Sequence, residues 1–368
     1  HSNFLYELAA GSKRVDVTSA DSFIVLLPLY HIFAFTTIFL FSCSVGSTLT
    51  FVRSLKKNEI LDTIKETNTT IVFGVPKIFE SIYNGVIDRL SEQPSNKKFI
   101  VKTFTLANNA SIRLFKKNFG KILFNDIHKQ IGSSIRLMVS GGAAISKDVL
   151  VGMSLLGFPI TEGYGMTETS PVVTINEIGT KFGSVGKALE GIEIRIVEPS
   201  EDGIGEIAIK GPVVMEGYYK NKELTKRTIR DCWLYTKDLG FIDKDGCLYI
   251  KGRKDNVIIL PSGKNVYPED VEHHYGKSPL IQEICVLGIR PKGLKQDVVH
   301  ALIVPNYPEL KKRGIVDAYL PIKEEIKNFS RDMPTYKRIM SFDIVDENSL
   351  PNTSTLKFKK FEIKKQIE

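Results

Sequence analysis

From Ser22 to Val52 the chain carries no Asp, Glu, Lys or Arg, a stretch long enough to cross a bilayer as one helix. Its internal spelling argues against that. Pro28 and His31 stand near its start, Ser42-Cys43-Ser44 forms a polar cluster, and Gly46-Ser47 breaks it again. Phe23 to Leu27 is short, apolar and partly β-branched, and reads as a buried parallel strand that Pro28 stops; Ile32 to Phe41 then suits a buried helix. A strand and helix that both lack charge demand cover on both faces, so the run points to the interior of a layered α/β domain and to no transmembrane span.

The following segments keep that order. Asn58 to Asn68 has Ile60, Leu61 and Ile64 at helical spacing, Ile71-Val72-Phe73 is strand-like, and Gly74-Val75-Pro76 turns into a helix through Ile78, Ile82 and Val86. Pro94 to Lys98 reads as a polar loop, and Phe99 to Gln130 as a long, Lys-rich helix with an apolar stripe and no chemistry. Ile135 to Val139 is a strand delivered into Ser140-Gly141-Gly142-Ala143-Ala144, which sets bare backbone at the carboxyl edge of a sheet, where ligands bind in such folds. After Val172, glycine-punctuated strands (Gly191 to Val197, Gly205 to Lys210, Gly217-Tyr218-Tyr219, Cys247 to Ile250) read as a small β-barrel. Beyond Arg253, strands at Glu283 to Ile289 and Val298 to Val304 with helices at Glu269 to Tyr275 and Ile322 to Phe329 make a compact α+β domain.

Lys and Arg total 50 against 42 Asp and Glu, a net charge of +8 that favours anionic partners. No helix-turn-helix, zinc-finger or aromatic RNA-binding signature accompanies it, so nucleic acid is not expected. The four cysteines are far apart with no Cys-x-x-Cys pair, which suggests neither a zinc site nor a disulfide framework and fits a reducing cytoplasm. Peripheral association with an inner membrane face stays open.

The chemistry concentrates in Thr161-Glu162-Gly163-Tyr164-Gly165-Met166-Thr167-Glu168-Thr169-Ser170, read as a single turn. Two glycines admit close backbone approach, Tyr164 can stack on a purine, Thr167 can donate to a phosphate oxygen, and Glu168 can be one hard oxygen ligand of Mg²⁺. The residues alone allow equally a polar surface loop whose hydroxyls bond their own backbone. Neither Gly141-Gly142 nor Gly163-Tyr164-Gly165 completes a Gly-x-Gly-x-x-Gly dinucleotide fingerprint.

Gly163-Tyr164-Gly165-Met166-Thr167-Glu168-Thr169 resembles the central motif of the adenylate-forming (AMP-binding) superfamily, and other motifs of that superfamily follow in order. His1-Ser2-Asn3-Phe4 is similar to its Thr-His-x-Asn segment, Leu27-Pro28-Leu29-Tyr30-His31 to Pro-Leu-x-His, Trp233 to Gly240 to Trp-x-x-Thr-Gly-Asp-x-Gly, Lys251 to Asn256 to the Gly-Arg hinge region, Ser262 to Glu272 to Ser-Gly-x-Asn-Val-x-Pro, and Leu350 to Lys360 to Leu-Pro-x-Thr-x-x-Gly-Lys-x-x-Arg. Val213 to Tyr219 and Ser262 to Tyr267 look most like long-chain acyl-CoA synthetases.

The resemblance implies ATP, Mg²⁺ and CoA as cofactors and co-substrates, with a fatty acid as substrate. It implies nucleotide contacts by Gly141, Gly142, Ala143, Glu162, Gly163, Tyr164, Gly165, Met166 and Thr167, ribose contact by Asp238, nucleotide contact by Arg253, Mg²⁺ at Glu168, and catalysis by Thr167, Glu168, His31 and Lys357. Asp255 would be the hinge and Gly263, Lys264 and Asn265 the loop that meets CoA. Lys237 and Leu356 stand where the family has glycine. The family's phosphate loop, ending in Pro-Lys-Gly, is not in the sequence, so the chain reads as a fragment.

The expected fold is α/β: doubly wound parallel sheet layers plus a small β-barrel in an incomplete large domain, then a small α+β C-terminal domain. The expected division is 1–252, comprising α/β layers over 1–172 and barrel over 173–252, and a mobile small domain over 253–368. The expected reaction is ATP-dependent activation of a long-chain fatty acid to an acyl-adenylate, then transfer to CoA. Another acid, acyl carrier protein as acceptor, and a non-catalytic nucleotide- or lipid-binding fragment are the alternatives.

Overall fold

In the computed structural model the uncharged run opens with strand β1 (Ser22–Val25), all four of whose residues are buried. The structure describes residues 1–91, 95–115, 117–260, 262–290, 297–346, 349–351 and 360–367. After Pro28 the chain is helical from Ile32 to Val45, with Phe35–Leu40 wound as a π-helix, longer than the Ile32 to Phe41 helix that the apolar spacing suggests. Gly46, at φ +72°, supplies the left-handed cap that ends it. Among the described residues no helix is long and apolar enough to cross a membrane.

Strands β2 (Thr48–Phe51), β3 (Ile71–Gly74), β4 (Leu137–Ser140), β5 (Ile160–Tyr164), β6 (Thr174–Ile175) and β7 (Lys187–Ala188) join β1 in a seven-stranded sheet of order β2-β1-β3-β4-β5-β6-β7. The pairs from β2 to β5 are parallel and the last two antiparallel. Alternation along each strand feeds two cores. Phe23, Val25, Ile71, Phe73, Leu137 and Val139 pack with Ala34, Ile38 and Phe41; Ile24, Val72, Met138 and Ile160 pack with Ile60, Ile64, Phe79 and Leu150. Successive side chains point to opposite faces, and both faces are covered, as a doubly wound sheet requires.

The segment expected as one helix over Phe99 to Gln130 is instead three, Ser95–Phe115, Gly120–Leu123 and Asn125–Ile131, and the first begins inside the expected Pro94 to Lys98 loop. The break falls after Phe115, and Asn108, inside the first helix, holds the segment beyond it: its Oδ1 accepts the Phe119 N–H at 2.8 Å and its Nδ2 donates to Asn118 Oδ1 and to Leu155 O. Gly120 then packs against Gly157 so tightly that a Cβ there would lie 2.4 Å from the Gly157 nitrogen.

Strands β8 (Glu193–Val197), β9 (Gly205–Lys210), β10 (Ile229–Arg230), β11 (Trp233–Ile242) and β12 (Leu248–Arg253) form a five-stranded sheet, order β10-β11-β9-β8 with β12 on β11. Gly217-Tyr218-Tyr219 is not a strand, contrary to the sequence pattern. The Tyr218 N–H is taken by Thr225 Oγ1 and its carbonyl by the Asn221 N–H, which turns the chain.

The chain divides into two compact units, His1–Ile196 with Ala208–Thr236 and Ile242–Tyr249, and Val197–Ile207 with Lys237–Phe241 and Ile250–Glu368. In the second, β13 (Ile258–Ile259) and β14 (Asn265–Val266) make a hairpin. There β15 (Ile281–Ile289), β16 (Val298–Pro305) and β17 (Ser341–Ile344) make a sheet in that order, antiparallel then parallel. Helices Pro268–Tyr275 and Tyr319–Phe329 cover it through Val271, Tyr275, Ile322 and Ile326.

Candidate functional site

In the first unit the carboxyl ends of β3, β4 and β5 bring the glycine-rich segments together. Gly141 follows β4 and donates its N–H to Gly74 O at 3.1 Å. The Phe33 ring lies over it, and a Cβ at Gly141 would sit 2.7 Å from Phe33 Cζ. Gly142 adopts φ +80°, open to glycine at little cost.

Thr161 to Ser170 is not a single turn. Its first half is the buried end of β5, where Thr161 Oγ donates to Asn176 O at 2.8 Å. Its second half is a 3₁₀ turn, Thr167–Thr169, fixed by the Met166 N–H donating to Thr169 Oγ at 3.0 Å. At the junction a Cβ on Gly165 would fall 1.7 Å from Pro171 O, so only glycine passes. The turn leaves Thr167 exposed. Glu168 receives the Tyr218 hydroxyl on Oε1 at 2.7 Å, while its carbonyl accepts the Met215 N–H.

Glu162 is buried beside this turn. It accepts the Gly183 N–H at 3.2 Å, and burial pushes its carboxyl up to about 8. His31 precedes the helix that begins at Ile32; its Nε2 is buried without a hydrogen-bond partner, and its ring lies 4.5 Å from that of Tyr30.

In the second unit Arg253 Nε lies 3.4 Å from Asp238 Oδ1, with the Asp238 side chain largely buried and Arg253 half-exposed. Lys237 has left-handed backbone, at φ +60°. Its N–H donates to Glu206 Oε1 at 3.1 Å and its Nζ to Asp255 Oδ2 at 3.0 Å, and Lys254 Nζ donates to Glu206 Oε2 at 2.9 Å. Gly263, at φ +76°, turns the β13–β14 hairpin. Lys264 Nζ stands 4.5 Å from the centre of the Tyr336 ring, and Asn265 is exposed at the start of β14. Lys357 and Leu356 lie outside the described residues.

Two partners here escape sequence reasoning. Tyr218 stands 50 residues from Glu168, and its only trace in the sequence is the Val213 to Tyr219 spelling. Glu206 sits in β9 and carries no motif at all. No group of three or more His, Cys, Asp or Glu side chains among the described residues could cage a metal. Glu168 offers one hard carboxylate oxygen beyond the one that Tyr218 occupies, which fits a Mg²⁺ that takes its other ligands from water and substrate phosphates.

An AMP-binding enzyme family model matches residues 1–219, and an AMP-binding enzyme C-terminal domain model matches 255–367. The chain belongs to the AMP-binding enzyme family, that is, to the adenylate-forming ligases. Among curated proteins it is 32% identical over 322 residues to long chain acyl-CoA synthetase 1 of Arabidopsis thaliana, covering 82% of this chain and 47% of that one. It is 27% identical over 368 residues to the long-chain-fatty-acid–[acyl-carrier-protein] ligase AEE15 of the same plant, covering 85% and 49%. The chain thus spans about half the length of the curated relatives it matches.

Among solved structures, o-succinylbenzoate CoA synthetase of Bacillus subtilis with its acyl-adenylate intermediate superposes with a TM-score of 0.75 at 25% identity, over 100% of this chain and 64% of that one. The same enzyme with ATP and magnesium ion gives 0.73 at 25%, over 99% and 65%. ATP-bound MatB from Rhodopseudomonas palustris gives 0.76 at 25%, over 100% and 64%.

Proposed function

We propose that the chain is part of an acid–thiol ligase that activates a long-chain fatty acid with ATP to an acyl-adenylate, releasing pyrophosphate, and passes the acyl group to CoA. The observation that carries this reading is the Thr167–Thr169 turn, in which Glu168 is oriented by Tyr218 beside the glycine-bounded strand end at Gly141, Gly142 and Gly165.

In the first unit we assign Tyr164 to the adenine face, backbone from Gly141 to Ala143 and from Glu162 to Met166 to its surroundings, Thr167 to phosphate, Glu168 to Mg²⁺ and His31 to the acid. Mg²⁺, when bound, neutralises phosphate charge. In the second unit we assign Asp238 to ribose, Arg253 to nucleotide oxygens, Asp255 to a hinge, and Gly263 to Asn265 to CoA, with residues 253–368 as the mobile small domain. Lys357 is assigned the cation that offsets charge as carboxylate attacks the α-phosphate, an electrostatic role that acts mainly on the transition state.

Pyrophosphate release measured with palmitate, a short acid and an aryl acid tests the reading; release with palmitate above the other two is expected, and equal or no release with palmitate overturns the long-chain assignment. Acyl carrier protein is the second acceptor to be tried, because a ligase that uses it matches 85% of this chain. A thioester formed on the carrier protein and not on CoA would move the assignment there. Binding of ATP without any release would favour a non-catalytic nucleotide-binding piece.

A further inference from the structure

Where the five-stranded sheet belongs to the first unit, one side of it interleaves aromatic rings with cations. Trp233 and Tyr235 are two residues apart on β11 and so point to that side; Leu234 and Thr236 alternate with them and are buried. Arg195 reaches from β8 across β9: its Cζ lies 4.1 Å from the centre of the Trp233 ring, and its Nη2 donates to the Tyr235 hydroxyl at 2.9 Å. Arg230 of β10 has its Cζ 4.2 Å from the centre of the Tyr235 ring and donates Nε to Arg227 O at 3.2 Å. Lys210 Nζ stands 5.8 Å from the centre of the Trp233 ring and 3.5 Å from Glu193 Oε1. Both arginines are exposed, and among the described residues neither guanidinium meets a carboxylate.

The positive charge continues into the helix Lys222–Thr228. From Tyr219 to Arg230 the sequence has five Lys or Arg against one acid, Glu223, and all five cations are exposed. Two hydrogen bonds fasten that helix to the proposed metal ligand: the Tyr218 N–H donates to Thr225 Oγ1, and the Tyr218 hydroxyl donates to Glu168. A partner resting on the helix is thus linked to Glu168 through Tyr218. The residue types select a protein. Trp, Tyr and Arg carry most of the energy of protein–protein contacts, and guanidinium groups already ordered on rings lose little freedom when a carboxylate pairs with them. Nucleic acid would need rings free to stack on bases, whereas Arg195 and Lys210 stand over Trp233, and Arg195 and Arg230 over Tyr235. A second copy of the chain would set the same cations against each other across a two-fold axis. An acidic protein surface is what matches.

We propose that this face docks an acidic acyl carrier protein, whose carboxylates pair with Arg195, Arg230 and the cations of the helix Lys222–Thr228. The inference rests on the ligase reading and gives the second acceptor considered there a surface to bind, built from residues that the reading leaves without a role.

Fluorescence anisotropy of a labelled acyl carrier protein titrated with the whole polypeptide tests docking apart from chemistry. Saturable binding is expected at low salt and should weaken as salt is raised. Arg195→Ala with Arg230→Ala should raise Kd roughly tenfold or more, as loss of hot-spot side chains does. Lys226→Glu with Arg227→Glu, both on the exposed helix, should abolish binding while circular dichroism and thermal unfolding stay as in the parent. In turnover both pairs should lower thioester formation on the carrier protein and leave thioester formation on CoA unchanged. No binding at low salt, variants that bind like the parent, or equal loss of both thioesters would overturn the proposal. So would an unrelated acidic protein that binds as tightly, or a single-stranded RNA that binds more tightly, since the latter would give the face to nucleic acid. If pyrophosphate is released with no acid, the ligase reading fails, and the anisotropy still decides the docking.

Discussion

Lys237 holds Asp255 through an ion pair, Nζ to Oδ2 at 3.0 Å, from a left-handed backbone position at φ +60°. Left-handed backbone costs a side-chain-bearing residue on the order of 1 kcal/mol, and an ion pair this exposed returns about 0–1 kcal/mol. The two nearly cancel. Lys237→Gly should therefore leave the unfolding free energy in urea within about 1 kcal/mol of the parent. Lys237→Val, which keeps the strain, adds a β-branch and loses the pair, should be clearly less stable. If Lys237→Val unfolds at the same urea concentration, the backbone there is not under the constraint described.

Tyr218 and Glu168 give the second prediction. The phenol occupies one carboxylate oxygen at 2.7 Å and so orients the other. Tyr218→Phe removes that hydrogen bond and little volume. Loss of a group that orients a metal ligand typically costs about 10–100-fold in metal affinity or activity. Pyrophosphate release should fall by that order and need more Mg²⁺ to saturate, with unfolding unchanged. A variant that matches the parent at limiting Mg²⁺ would remove Glu168 from the proposed metal role.

Glu7 makes stability depend on pH. It lies buried in the helix Ser2–Arg14, where burial pushes its carboxyl up to about 8 although the Val172 N–H donated to Oε1 at 2.9 Å pulls the other way. The unfolded carboxyl titrates near 4.5. Below that value both states hold the proton; between there and about 8 only the unfolded chain releases it, so the folded state loses ground as pH rises and the loss levels off above. Glu7→Gln keeps an acceptor for Val172 and cannot ionise. It should melt with the parent near pH 4 and a few degrees above it at pH 8, by thermal unfolding followed across that range. Coincident curves at both ends would show that Glu7 is not protonated in the folded chain.

Much of this was legible in the sequence because it is local. Phe23 to Leu27 and Ile71 to Phe73 read as buried strands since each is apolar on both faces, and Gly141 and Gly165 read as places of close approach because a Cβ would collide there, while Gly142 serves a left-handed backbone at φ +80°. What failed was tertiary. The apolar stripe from Phe99 to Gln130 continues through Asn108 and Gly120 with nothing to announce that Asn118, Leu155 and Gly157 fold against them. Tyr218 looks like a strand residue until its N–H is seen bonded to Thr225 and its hydroxyl to Glu168. Periodicity reports which face a residue buries; it cannot report a hydrogen bond across 50 residues.

Lys360 carries the last prediction. Its Nζ lies 2.8 Å from Glu272 Oε1 and 3.5 Å from Glu269 Oε1, with the side chain 11% exposed. Burial alone would lower the ammonium group, but Glu272 and Glu269 outweigh it and hold Lys360 above its ordinary value, so it stays charged. Glu272 also takes the Val286 N–H at 2.7 Å, which ties the helix Pro268–Tyr275 to β15. Removing one partner of a buried pair leaves the other charge unmatched, at about 3–5 kcal/mol. Lys360→Met should therefore destabilise the chain in urea by that order, and Lys360→Arg, which keeps the cation, by much less. Lys360→Met combined with Glu272→Gln should recover part of the loss, because one of the stranded carboxylates is gone. Leu350 and Ile363, on either side of Lys357 in sequence, share a buried cluster with Leu287 and Val304. Pyrophosphate release should follow stability across these three variants; a fully stable Lys360→Arg that has lost adenylation would instead give Lys360 a direct part in the chemistry.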